Sequence, residues 1–178
     1  MSAVSATPQV PVIVYVWVSL VKAGSPGHAA MEIAGGTTPE TGYVSFAPLV
    51  EGSISGAGKF FDKEHDRSHY AGRGLWIGCI YGLDTAKMLQ RLKADLSSPP
   101  AYGPLNECAT TVRTYLVVGG GNELASWWSS WSLGGVVSPD DLEDYAQSIV
   151  ERTRDRGSYD RSVRGEGSLG WALGIGRN

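Results

Sequence analysis

The chain has 178 residues, 42% of them hydrophobic, with 15 basic and 18 acidic side chains and a net charge of −3. That length and apolar content exclude a disordered chain and suffice for one domain with a real core. The near-balanced charge, with no basic run, argues against nucleic acid as a partner.

Residues 1–11 read as a loose arm ending at Pro11, without the basic start and apolar stretch of a signal peptide. The longest apolar run, residues 12–18, is far too short to cross a bilayer. The expectation is a protein that is cytoplasmic as synthesised and makes no stable membrane insertion, with export by a leaderless route left open. The two cysteines, Cys79 and Cys108, are too few for a disulfide framework.

Residues 12–18 are β-branched and aromatic and predict a buried strand. After Gly24, Ser25, Pro26 and Gly27, residues 28–33 predict a second strand that opens on His28. Residues 35–42 are rich in turn formers. Residues 43–46 return as a third strand, antiparallel to the second. Residues 50–73 start Gly-rich and become charged, which predicts a surface excursion or a flap. Residues 75–81 predict a fourth strand. Asp84 caps a predicted helix to about Leu96 with Met88, Leu89 and Leu92 on its inner face, and Pro99 and Pro100 stop it. The helix that carries Cys108 ends at Gly119, Gly120 and Gly121. Ser138 and Pro139, with Asp140 and Asp141, open a last helix to about Arg154. Residues 156–178 predict an irregular tail. With no repeat or linker, residues 1–178 read as a single α+β domain.

Two segments carry chemistry. Cys108 follows Asn106 and Glu107 where a Pro-containing loop runs into a helix. A thiol at a helix start feels the positive end of the helix dipole, which favours thiolate. His28 follows Gly27, and an imidazole brought beside the sulfur completes a nucleophile and base pair. The plain alternatives are a buried structural thiol and a loop histidine. The other histidines, His65 and His69, lie among Glu64, Asp66 and Arg67 and read as solvated flap residues. Their spacing suits zinc on a helix, but no further ligand completes a set, so no metal and no cofactor is expected.

A third group has to fix the imidazole tautomer. If the 35–42 turn closes evenly, Ala34 faces Tyr43 and Glu32 faces Ser45. Alternation then puts Ser45 and Tyr43 on the face shared with His28. Ser45 is the candidate third residue; a backbone carbonyl is the alternative, and an ordinary strand serine the plain reading. At ~3.3 Å per residue Glu32 lies about 13 Å from His28, too far for contact, and reads as structural or substrate-facing. Trp127, Trp128 and Trp131 read as core packing or as the aromatic wall of a substrate cleft. Cys79 reads as inert packing.

In this order the segments resemble the circularly permuted papain-like (NlpC-like) cysteine hydrolase superfamily, related to lecithin:retinol acyltransferase-type proteins. The matching pieces are Gly27 and His28 at a strand start, then Tyr43 to Pro48, then Asn106, Glu107 and Cys108 at a helix start. The resemblance covers about residues 12–120. It departs at Glu107, which intervenes where Asn is expected directly before the cysteine; a carboxylate there either opposes thiolate formation or points to solvent. The resemblance implies a permuted papain-like fold: an antiparallel sheet of about four or more strands against the nucleophile helix and further helices. It implies Cys108, His28 and Ser45 as catalytic residues, with Asn106, Tyr43, Trp127 and Trp128 toward substrate. It implies hydrolysis of an amide bond in a peptide, isopeptide or peptidoglycan peptide through a Cys thioester. A bacterial toxin or effector role fits, with a cognate inhibitor or immunity protein as partner. The alternatives are an acyltransferase or phospholipase on lipid esters, using the same pair, and a non-catalytic binding module.

Overall fold

The apolar residues of the first strands alternate between two faces, and the chain buries both. In the computed structural model, which describes residues 10–18, 27–125 and 137–153, β1 (Val12–Trp17) lies between β2 (His28–Glu32) and β5 (Leu75–Ile80). β3 (Tyr43–Pro48), β4 (Gly56–Phe60) and β6 (Ala101–Tyr102) extend the sheet beyond β2. Among the described residues this makes an open six-stranded sheet in the order β5-β1-β2-β3-β4-β6, with every pairing antiparallel. The α+β class expected from the sequence is therefore present.

Val12, Val14, Val16, Ala29, Met31, Val44 and Phe46 belong to the main core. Against it pack α2 (Thr85–Ser97), α3 (Cys108–Val118), the short α4 (Gly121–Leu124) and α5 (Pro139–Thr153). α3 lies against β2 and β3, and α5 against β5 and β1. Tyr15, Trp17, Ala30 and Tyr43 form a second cluster with Ile13, Tyr70, Leu75 and Ile77 around it. The register pairs Tyr15 with Ala30 and Trp17 with His28, so this second cluster marks the other face. The polar side of α1 (Lys63–His69) covers it: Lys63 reaches Tyr15, and Asp66 reaches Tyr43 and Ser45.

Local chemistry sets the helix ends. The Asp84 carboxylate accepts from the Lys87 backbone N–H, and Met88 and Leu92 are buried while Leu89 is half-buried. Ser138 and Asp141 form a reciprocal pair at the start of α5, with Asp141 accepting from Ser138 and donating its backbone N–H back to Ser138 Oγ. α3 ends on Gly119. No helix among the described residues is long and apolar enough to cross a membrane.

Two expectations need correction. The 35–42 connector does not close evenly: Glu32 faces Tyr43, and Ala30 faces Ser45. Ala34 turns at a φ of 53° and a 3-10 turn spans Pro39–Thr41, so the hairpin closes at Ile33 and Gly42. The slip is two residues, which leaves every side chain on its expected face. Residues 50–73 are no flap. β4 pairs with β3, and α1 inserts Asp66 into the protein. β4, with sequence GAGKF, has no β-branched residue to announce it. The arm at residues 1–9, the loop at 19–26, Arg154 and the 156–178 tail lie outside the described residues.

Candidate active site

The Gly-His step at the start of β2 has a steric reason. A Cβ on Gly27 would sit 2.7 Å from the Trp17 carbonyl oxygen and 3.0 Å from Pro139 side-chain atoms. Glycine lets β2 begin tight against the end of β1 and the first turn of α5. His28 is thereby fixed as the first residue of a paired strand and is 3% exposed.

Its ring is held on every side. Tyr70 stacks on it at 4.4 Å with an interplanar angle of 14°, and Trp17 lies tilted at 5.5 Å. Nε2 is 3.0 Å from Ser45 Oγ and 3.5 Å from Asp66 Oδ2. Ser45 Oγ donates to Asp66 Oδ1 at 3.0 Å, and Tyr43 OH donates to Asp66 Oδ2 at 2.9 Å. Asp66 is 1% exposed. The single hydroxyl hydrogen of Ser45 is spent on Asp66, so the hydrogen between Ser45 and the ring belongs to Nε2. That assignment leaves Nδ1 as the acceptor in the neutral ring, and Cys108 is near enough for its charge to act on that ring.

The electrostatics follow. Burial opposes charge on His28, but the charge of Cys108, hydrogen bonding of the ring N–H toward Asp66 and Cys108 and the charge of Asp66 outweigh it, and the imidazole is pushed up to about 9. Burial likewise opposes ionisation of Asp66; the hydrogen bond and charge of His28, with the hydroxyls of Ser45 and Tyr43, hold it below the usual carboxylate range. The flanking aromatic faces favour the protonated ring further.

Cys108 is the first residue of α3 and is 7% exposed. The leading N–H groups of a helix have no intrahelical acceptor, so the sulfur lies beside donors suited to an oxyanion. Tyr70 and Tyr102 are close enough to feel the charge of Cys108: burial first, then that charge, raises both hydroxyls, Tyr102 to about 12. Glu107 occupies the cap position ahead of α3, half-buried and without a side-chain cap bond. Burial pushes its carboxyl up from the usual range.

The structure thus brings Cys108, His28 and Ser45 together and adds Asp66, which the sequence reading had left among solvated flap residues. Asp66 was hidden in the charged run KEHDRSH. The available signal was periodicity: Lys63, Asp66 and Tyr70 recur at helical spacing and form an inward stripe made of polar groups. Tyr43, placed by the sequence reading toward substrate, is fully buried with its hydroxyl on Asp66, a supporting position. Asn106 is exposed in the turn that its backbone N–H closes onto the Gly103 carbonyl. Glu32 is buried, accepts from Tyr15 OH and pairs with Lys63. His65 stacks on Phe61 at 4.1 Å and approaches Asp66 Oδ1 at 3.4 Å; His69 lies 3.8 Å from Glu51. Both cysteines are free, and Cys79 is half-exposed, its thiol pushed up by burial and by Glu32. Trp127, Trp128 and Trp131 lie outside the described residues.

Comparison of the chain with protein-family models, curated proteins and solved structures gives no match.

Proposed function

We propose that this chain is a thiol-dependent hydrolase of amide bonds, built on the permuted papain-like, NlpC-like plan. One observation carries the reading: a buried imidazole stands between a helix-start thiol and a serine-aspartate pair that fixes its tautomer. His28 takes the Cys108 proton, and the thiolate attacks the carbonyl carbon. The C–N bond breaks, the imidazolium gives its proton to the departing amine, and a thioester remains. Water then attacks the thioester as His28 accepts a water proton; the carboxylic acid forms and the C–S bond breaks. The backbone N–H of Cys108 stabilises the oxyanion in both halves, while Ser45 and Asp66 orient the ring. A peptide, isopeptide or cell-wall peptide is the substrate class, and a bacterial effector with a cognate inhibitor is the biological setting.

The test is intact-mass detection of a chloroacetamide adduct mapped to its cysteine. Cys108 is expected to label well ahead of half-exposed Cys79, and His28→Ala to slow that labelling by about 100-fold, the scale of a lost general base. Cys108→Ala should keep the fold and lose both adduct and turnover. Equal labelling of the two cysteines, or a His28→Ala protein that labels like wild type, sinks the reading.

A second reading, an acyltransferase or phospholipase acting on lipid esters, is favoured by one feature. Leu49, Val50, Ile54 and Leu105 are 58–86% exposed. The β4–β6 pairing of Gly56 with Tyr102 brings their two loops to one end of the sheet, near the start of α3. Dye-free vesicles of phosphatidylcholine, assayed for Cys108-dependent fatty-acid release, separate the two: release supports this second reading, and intact lipid leaves the amide hydrolase.

A further inference from the structure

On the sheet face covered by α1 lies a cavity of about 260 Å³, lined by Tyr15, Trp17, Lys63, Arg67, Leu75 and Ile77, with Tyr43 at its base. Drug-sized ligands occupy pockets of roughly 300–1,000 Å³, so this one is sized for a single side chain or small ring. Its walls are aromatic and aliphatic. Its polar edge is α1, where Lys63 and Arg67 stand four residues apart and so share one side of the helix.

The charge on that edge is unequal. Lys63 is matched by buried Glu32 and also donates to Tyr15 OH at 3.0 Å. Arg67 is exposed, and among the described residues no carboxylate stands within ion-pair distance of it. The guanidinium acts on the Tyr15 hydroxyl across the cavity. One positive charge is left over an apolar chamber, which selects one anionic charge on an apolar body. Trp17 is shared between the two places: it lines this chamber, and its indole lies 5.5 Å from the His28 ring.

We propose that the cavity binds an apolar or aromatic group bearing a single carboxylate, and that it is the pocket in which the substrate's side chain is recognised. Its role in catalysis rests on the thiol-hydrolase reading; its binding chemistry does not. An amine is repelled by Arg67 and Lys63, and a neutral amide leaves the guanidinium unmatched.

The probe is 3-phenylpropionate, compared with 3-phenylpropanamide and 3-phenylpropylamine, titrated into the full chain carrying Cys108→Ala and followed by NMR at the Trp17 indole and the His28 ring. The acid is expected to bind about tenfold more tightly than the amide, the scale of one charge-assisted contact, and the amine not to bind. Arg67→Gln should erase the preference for the acid, and Ile77→Trp, which fills the chamber, should abolish binding of acid and amide alike; circular dichroism verifies that each variant is folded. Equal affinity for acid and amide overturns the proposal, as does a preference that survives Arg67→Gln or saturation that leaves the Trp17 indole unmoved. Chloroacetamide labelling of the Cys108 protein is read separately: if labelling fails while acid binding holds, the hydrolase falls and the binding site stands.

Discussion

Asp66 accepts hydrogen bonds from Ser45 and Tyr43 and faces the His28 ring, so one carboxylate sets the position of three side chains. Asp66→Asn keeps the volume and removes the charge. The His28 titration, followed by NMR, is expected to move from about 9 toward the ordinary 6.5, and chloroacetamide labelling of Cys108 to slow. A midpoint that stays near 9 would mean that Cys108 alone holds the proton. Tyr70→Leu removes the stacked ring and should also lower the midpoint, by the ~1–2 kcal/mol of a desolvated cation–π contact. The pair of Cys108 and His28 was legible because each opens an element and few residues of either type compete. Ser45 was legible from alternation along β3. Asp66 was not, because its partners come from two other strands and its neighbours in the chain are charged.

At the scale of elements, the approach of β1, β2 and α5 at Gly27 is the tightest constraint on the site. Gly27→Ala puts a methyl against the Trp17 carbonyl, which can move only with β1 itself. Overpacking of this kind costs about 1–3 kcal/mol; a lower urea midpoint, together with slower Cys108 labelling, is the expected outcome. Ser138→Ala breaks the reciprocal cap of α5 and should cost about 1 kcal/mol, again read from the urea midpoint, with labelling of Cys108 unchanged. Elements with strong periodicity or caps, such as β1, α2 and α5, could be read from the residues. β4 and β6 could not: one is Gly-rich and the other two residues long, and each exists because a neighbour offers an edge, β3 to β4 and β4 to β6. The register of β2 on β3 was misjudged because the turn holds a 3-10 segment that composition does not reveal.

For the whole molecule, the two buried titrating groups predict a bounded range of stability. His28 holds its proton more tightly folded than unfolded, so its contribution is complete below about 6.5 and is lost as pH rises through about 9. Asp66 has the opposite sense: its contribution is present above the ordinary value of 3.8 and is lost as pH falls through its depressed folded value. Urea midpoints measured across pH should therefore be highest in the weakly acidic range and fall on both sides. In His28→Gln the alkaline decline should flatten; an unchanged slope there would assign the loss to other groups.

The relay is also ordered along the chain: His28, Ser45 and Asp66 all precede Cys108. A ribosome adding about 5–20 residues per second takes seconds to travel from the aspartate codon to the cysteine codon. Hairpins close in about 1–10 μs. The strands bearing the base thus have ample time to zip together before the sulfur is made, and a growing polypeptide carries the base and its supports before it carries the nucleophile.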